Sequence, residues 1–402
     1  MLLGLDRLPD LSPLLTRLRG SRVAVLAHPA SVDHRLEHIS EVLERAAVRP
    51  VLLFGPEHGY GGEAQDMIGV ASATDPRTGA PIVSLYGDRV EDLSPKAEHL
   101  TQAQVLVIDL ADVGSRYYTF VWTALLAVRV AARAGVHCVI LDRPNPIGGL
   151  ARDLEGRPQV PGFQSFVGLE PIPVRHSLTV GEIVTFFAER EHLPLGPDGA
   201  LSLVHVDGWD RASFAHAWDR PFVLPSPNMP TADTALVYPG GCLLEGTNLS
   251  EGRGTTRPFE IVGAPWIDGR RLAADLARSH LPGFVARPLT FQPTFHKHAG
   301  HLCGGVQIHV TDPIAFRPYA TYVALVGYAR AQDPQKFRFR TERYEFIDHI
   351  PAIDLLTGSS ATRSALESGE DPSAVARASA SIPDESIRDH EAAILAARGA
   401  SW

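Results

Sequence analysis

Apolar residues in the first half of the chain fall in continuous runs rather than in alternation. SRVAVLAHPA, PVLLFGPEHG, IVSLYG, VLVIDLADVG and VHCVILDRPNP each set aliphatic residues side by side. Such runs suit strands covered on both faces, as in a parallel sheet. Between them, LEHISEVLERAA, SPKAEHLTQA and TFVWTALLAVRVAARAG read as helices. Ser94–Pro95 opens the second of these, and Gly135 stops the third. Thr179 and Glu182 form a capping box ahead of VGEIVTFFAERE, and LSLVHVDGW is a further strand. The alternation predicts an α/β fold.

The texture changes between about Pro221 and Phe259, where Pro, Gly, Thr and Asn accumulate. The stretch is too long and too apolar for a linker, which predicts an ordered loop region belonging to a site. Beyond it, the strands VQIHV and TERYEFID and helices around 269–280 and 318–331 predict a smaller α+β unit. The tail after 357 reads as helical and peripheral. A chain of 402 residues exceeds one ordinary core, so two domains are expected, 1–240 and 241–402.

Composition narrows the classes. Apolar residues make up 45% of the chain and mean hydropathy is −0.01, as in soluble globular proteins. A formal charge of −9 without any Lys/Arg run argues against nucleic acid as a partner. Cys138, Cys242 and Cys303 are odd in number and far apart, which indicates neither a disulfide framework nor a thiolate zinc site. Asp6, Arg7 and Asp10 interrupt the N-terminal leucines, and no segment has the length to span a membrane. The expectation is a cytoplasmic protein with no membrane partner.

In an open parallel sheet, ligands bind beyond the carboxyl ends of the strands. Those ends carry His28, Glu57, His58, Tyr86, Asp109, Asp112, Arg116, Tyr117, Tyr118, Asp142, Arg143 and Asn145. Any one of these could simply cap a helix; the set as a whole predicts a polar-substrate site. Glu57 stands between Pro56 and His58, ahead of Gly59, Gly61 and Gly62. A carboxyl shielded there would have a raised pKa and suit a general acid. On spacing alone, that role and a helix-capping or salt-bridged glutamate stand level.

The long loop adds Asn228, Asp233, Glu245, Asn248, Glu251, Arg253 and Arg257. Their amides and carboxylates suit sugar hydroxyls, and the arginines could grip an acid group. The alternative is a loop that satisfies only its own backbone. In FHKHAGHLCGG, His296, His298, His301 and Cys303 suggest metal, but three histidines in one loop are no ligand set without geometry. A substrate-contacting loop or polar packing is preferred, and no metal or cofactor is expected. Neither G-x-G-x-x-G, nor a phosphate loop, nor a G-x-S-x-G elbow is present.

The segments FGPEHGYGG, SLYG, DLADVGSRYYTF, LDRPNPIGG, PSPNMPTADTALVYPGGCLLEGTNLSEGRGTTRPFE and FHKHAGHLCGGVQIHVTD resemble, in order, the NamZ-type exo-β-N-acetylmuramidases. The resemblance runs from about residue 20 to 350. It implies a Rossmann-like N-terminal domain, a smaller C-terminal domain and a cleft between them. It also implies hydrolysis of terminal N-acetylmuramic acid from peptidoglycan-derived glycans or disaccharides, with the P-E-H-G glutamate, Glu57, as catalytic residue. His58, Asp112 and Glu251 are the other candidates for the chemistry, the last two as second carboxylate; the alternative is attack by the sugar's own 2-acetamido group, oriented by a carboxylate. Arg116, Tyr117, Asn145, Asn228, Arg253, Arg257 and His298 are the candidates for binding. Arg253, Arg257 or Arg116 would pair the lactyl carboxylate of the sugar. Exo action requires a closed cleft end, for which the loops around 160–176 and 290–305 are candidates. Family members that act outside the cell carry an export signal and none is seen here, which leaves two readings, work on imported fragments in a recycling pathway or a start site other than Met1. Rival readings are a non-catalytic sugar-binding protein, a sugar-nucleotide or phosphosugar enzyme, and a hydrolase of another amino sugar.

Overall fold

A computed structural model of the chain describes residues 1–62 and 73–402. Among these, seven strands form one sheet: β1 (Val23–Ala27), β2 (Pro50–Gly55), β3 (Ala73–Thr74), β4 (Pro81–Ser84), β5 (Val105–Asp109), β6 (His137–Leu141) and β7 (Leu201–Val204). Their order is β3-β4-β2-β1-β5-β6-β7. All pairings are parallel except that of the short edge strand β3 with β4. The chain therefore steps outward from β1 to β4, then crosses to the other side of β1. That reversal opens a crevice at the carboxyl ends of the central strands.

The continuous apolar runs explain the burial. Ala24, Leu26, Leu106, Ile108, Cys138 and Ile140 point into one core, while Val23, Val25, Val105, Val107, Val139 and Leu141 point into the other. Helix Phe120–Arg133 and helix Val180–Arg190 cover the first face, and Ser12–Arg19 and Ile39–Arg45 the second. The first core continues without a break into Val262, Val306 and Tyr322. Tyr322 lies on helix Pro318–Gln332, while Val262 and Val306 belong to a second, antiparallel sheet in the order β8 (Ile261–Ala264), β10 (Cys303–Val310) and β9 (Phe284–Phe291). Gly304 and Gly305 let this sheet pack closely, since an added Cβ would meet Ile267 O at 2.1 Å and Val262 O at 2.0 Å. The architecture is thus α/β with a smaller antiparallel unit, as expected.

Several expectations change in detail. The 221–259 stretch is not all loop, because Ala232–Gly241 is a helix capped by the Thr231 side chain. Pro239 lies in its last turn, and the glycines at its end disguise it in the sequence. TERYEFID is no strand; Tyr344 and Ile347 form a single antiparallel bridge around a tight turn. The tail is not wholly peripheral. Helix Asp384–Gly399 packs on helix Val180–Arg190, and Leu203 of β7 exchanges backbone hydrogen bonds with Ala400 and Trp402. The far end of the chain thereby covers the open edge of the first sheet. No helix among the described residues is long and apolar enough to cross a membrane.

Arg116 marks the centre of this packing. Its guanidinium is fully buried and donates to the carbonyls of Arg157, Ile172 and Leu356 at 2.9, 2.9 and 2.6 Å. Its own carbonyl accepts from Trp122 Nε1 at 2.8 Å. Replacing Trp122 with Ala removes a fully buried indole and that hydrogen bond. A loss of about 3–5 kcal/mol is expected, read as a lower denaturant midpoint.

Candidate active site

The site begins where β2 ends. Pro56 O accepts from Gly59 N at 2.9 Å, closing a turn in which His58 (φ 71°) and Gly59 (φ 85°) are left-handed. The turn folds back so tightly that a Cβ on Gly55 would lie 2.3 Å from Tyr60 N. Glu57 projects from it as a buried side chain, and its Oε2 accepts from Thr119 Oγ1 at 2.7 Å. Thr119 stands at the head of helix Phe120–Arg133, so the helix that follows β5 holds the glutamate that follows β2.

Around Glu57 lies a cavity open to solvent. Of the residues named from the sequence, Glu57, His58, Tyr117, Tyr118, Asn228, Glu245 and Arg253 line it. The aromatic side is a chain of edge-on rings: Phe120 on Tyr118 at 4.7 Å, Tyr118 on Tyr238 at 5.9 Å, and Tyr238 on Phe259 at 4.9 Å. Burial pushes the Tyr117, Tyr118 and Tyr238 hydroxyls well above their ordinary pKa.

This chain of rings leads into a charge network, with the Arg253 guanidinium 5.3 Å from the centre of the Phe259 ring. Arg253 Nη2 binds Glu245 Oε1 at 2.7 Å, and its Nε lies 3.2 Å from Glu251 Oε1. Glu245 Oε2 accepts from Tyr344 Oη at 2.7 Å. Glu251 sits fully buried behind Arg253, with Lys297 Nζ at 2.9 Å and His296 Nδ1 at 2.8 Å. Burial alone would raise its pKa; the Lys297 charge, the His296 hydrogen bond and Arg253 outweigh burial and hold it well below the usual range.

The remaining sequence candidates do not line this cavity. Asp112 lines a neighbouring depression with Arg143, Trp218 and Phe222; its Oδ2 accepts from Gly114 N at 2.6 Å and stands 3.1 Å from His176 Nε2. Arg116 is spent on backbone carbonyls, as described. Asn145 is buried and closes a loop, donating to Leu178 O and accepting from Ile147 N, both at 3.0 Å. Arg257 is half exposed between Asp233 and Glu260. His298 binds Asn248 O at 2.7 Å and meets the Trp266 ring edge-on. Of the two loops expected to wall a cleft, 160–176 contributes Val167 to the cavity lining. The 290–305 loop acts from behind, through His296 and Lys297. No group of three His, Cys, Asp or Glu among the described residues is placed to hold a metal.

Sequence reasoning passed over Glu345, Tyr344 and Ser226, which also line the cavity. Tyr344 and Ile347 exchange backbone hydrogen bonds of 2.8 and 2.9 Å around Glu345 (φ 43°) and Phe346 (φ 71°). Positive φ at both central positions is the type I′ geometry, which prefers Asn-Gly. A side-chained residue there costs about 1 kcal/mol. No motif in the sequence announces such a turn when Glu and Phe occupy it.

Carboxylates, hydroxyls and amides set against a wall of rings make a pocket for a polar, sugar-sized molecule. Fold and pocket together define an α/β protein with a polar ligand pocket at the carboxyl ends of its central strands. Its relatives specify the group. Residues 23–233 match the N-terminal family model of the exo-β-N-acetylmuramidase NamZ, and residues 236–383 match the C-terminal one. The chain belongs to this family of glycoside hydrolases. It is 39% identical to the peptidoglycan β-N-acetylmuramidase NamZ of Bacillus subtilis (strain 168) over 368 residues, 91% of this chain and 84% of that one. A crystal structure of a DUF1343 family protein from Bacteroides fragilis superposes with a TM-score of 0.80 at 28% identity, covering 99% of this chain and 98% of the other. A second from the same organism, at 22% identity and a TM-score of 0.73, covers 98% of each and shares the fold.

Glu251 offers a direct check on the network. Its folded pKa is depressed, so its stabilisation is present above the ordinary carboxylate value of 4.5 and is lost as pH falls below it. Glu251→Gln leaves Lys297 and Arg253 without that counter-charge and is expected to cost about 3–5 kcal/mol at pH 7. The gap between variant and parent should narrow as the pH is lowered below 4.5, measured by thermal unfolding across pH.

Proposed function

We propose that this chain hydrolyses the terminal non-reducing N-acetylmuramic acid from peptidoglycan-derived glycans, with Glu57 donating the proton to the glycosidic oxygen. The observation that carries the reading is the placement of Glu57. It is buried at the strand-end crevice, fixed by Thr119, and shares its cavity with Arg253. A proton donor must be held within hydrogen-bond reach of the leaving oxygen, and a short strand-end turn braced by a helix gives that rigidity.

N-acetylmuramic acid differs from N-acetylglucosamine by a lactyl ether that ends in a carboxylate. Among the described residues that line the cavity, Arg253 is the one permanently cationic side chain. Arg116 and Arg257 are committed elsewhere, so Arg253 is assigned the lactyl group. Glu245 and Glu251 fix its guanidinium plane before substrate arrives, so little side-chain entropy is lost on binding. The uncharged sugar lacks the group that this preset guanidinium would bind, so it forfeits a charge-assisted contact and is expected to bind less tightly. Val167 and Glu345 both line the cavity, and their neighbours Phe166 and Phe346 pack at 6.4 Å, so this cluster is assigned the end wall that the exo reading requires.

A chromogenic β-N-acetylmuraminide and its glucosaminide analogue test both assignments. The parent should release dye from the muraminide, and Glu57→Gln should lose about 10²–10⁴-fold in kcat. Unchanged turnover in that variant would remove Glu57 from the role. Arg253→Lys keeps a charge but loses the planar fork. It should raise KM for the muraminide by roughly 30-fold, about 2 kcal/mol, and leave any glucosaminide turnover little changed. An equal fall on both substrates would show that Arg253 only supports the pocket.

A further inference from the structure

Glycoside cleavage ordinarily employs two carboxyl groups. Besides Glu57, the carboxylates lining the cavity among the described residues are Glu245 and Glu345. Glu245 has both oxygens engaged, one by Arg253 and one by the Tyr344 hydroxyl, at 2.7 Å each. Burial, reinforced by the charge of Glu245, pushes the Tyr344 hydroxyl well above its ordinary pKa, so it remains a donor. Glu245 is therefore a brace for Arg253.

Glu345 arrives differently. The turn between Tyr344 and Ile347 holds it at φ 43°. Strained backbone of this kind persists only where its surroundings over-determine it, and it gathers at functional sites. The surroundings here are specific. The Phe346 ring meets those of Tyr86 at 5.9 Å and Phe166 at 6.4 Å, which anchors the far side of the turn. The Tyr86 hydroxyl, from the loop after β4, reaches Glu345 Oε2 at 3.4 Å. Residues from the first sheet's rim and from the C-terminal half thus converge to present one carboxylate to the cavity that holds Glu57.

We infer that Glu345 is the second carboxylate of the hydrolysis, facing the anomeric carbon while Glu57 serves the leaving oxygen. The inference rests on the reading of Glu57 as proton donor. As the bond between the anomeric carbon and the glycosidic oxygen breaks, the Glu57 proton passes to that oxygen. The positive charge spread over the anomeric carbon and ring oxygen is met by the ionised Glu345. After the leaving sugar departs, a water gives its oxygen to the anomeric carbon and its proton to Glu57. The net change is hydrolysis, with both glutamates restored.

The test uses two aryl β-N-acetylmuraminides, one with a dinitrophenyl leaving group and one with a plain phenyl group. A dinitrophenolate departs without protonation, so Glu57→Gln should be far less impaired on it than on the phenyl glycoside. Glu345→Gln should lose about 10²–10³-fold in kcat on both, with KM within a few-fold of the parent. Glu345→Asn suits a left-handed turn position and should unfold at or above the parent's temperature, yet remain as inactive as Glu345→Gln. Near-parental kcat in either Glu345 variant would overturn the inference, as would a Glu345→Gln defect that vanishes on the dinitrophenyl glycoside. A Glu57→Gln defect equal on the two substrates would instead overturn the proton-donor reading.

Discussion

A buried carboxylate, Glu251, holds the polar half of this site in place. Removing an ionised group from water costs several kcal/mol unless partners surround it, and Glu251 is surrounded by Lys297, Arg253 and His296. The consequence reaches outward. Arg253 is pinned from behind by Glu251 and from the side by Glu245, and Glu245 is pinned in turn by Tyr344. Each member would be unfavourable alone. Together they present a cation at the cavity wall with its geometry already set. The histidine-rich loop, which looks like a metal site in sequence, supplies two of the partners.

The other half of the site depends on the sheet. The reversal of strand order about β1 leaves a crevice at the ends of β1, β2 and β5. Glu57 rises from the β2 end and Thr119 from the helix after β5. The apolar core that begins under the parallel sheet runs on beneath the antiparallel one. Packing, rather than a linker, therefore fixes how the β2 turn and the Arg253 network sit across the cavity.

Much of the fold was legible because strands covered on both faces need continuous aliphatic runs, as VAVLA and VLVID show. The second sheet was harder to see. In β9 buried and exposed positions mix around Pro288, which hides it; in β10 VQIHV reads as a strand, and only its glycine-rich start, Cys303–Gly305, is not marked. Helix Ala232–Gly241 was hidden by Pro239. Among the site residues, Glu57 stood out because proline and glycines frame it. Sequence could not separate the fates of Arg116, Arg253 and Arg257. One is enclosed by carbonyls, one by carboxylates and one by solvent, and these are differences of tertiary environment. Glu345 was invisible for a local reason, since its turn lacks the Asn-Gly that normally marks that geometry.

The most direct test of the account is to incubate the purified protein with the disaccharide of N-acetylmuramic acid linked to N-acetylglucosamine and follow both sugars by mass spectrometry. The account predicts equal release of the two sugars by the parent and a profound loss in Glu57→Gln. Tight binding of the disaccharide without cleavage, or equal rates in parent and variant, would contradict it.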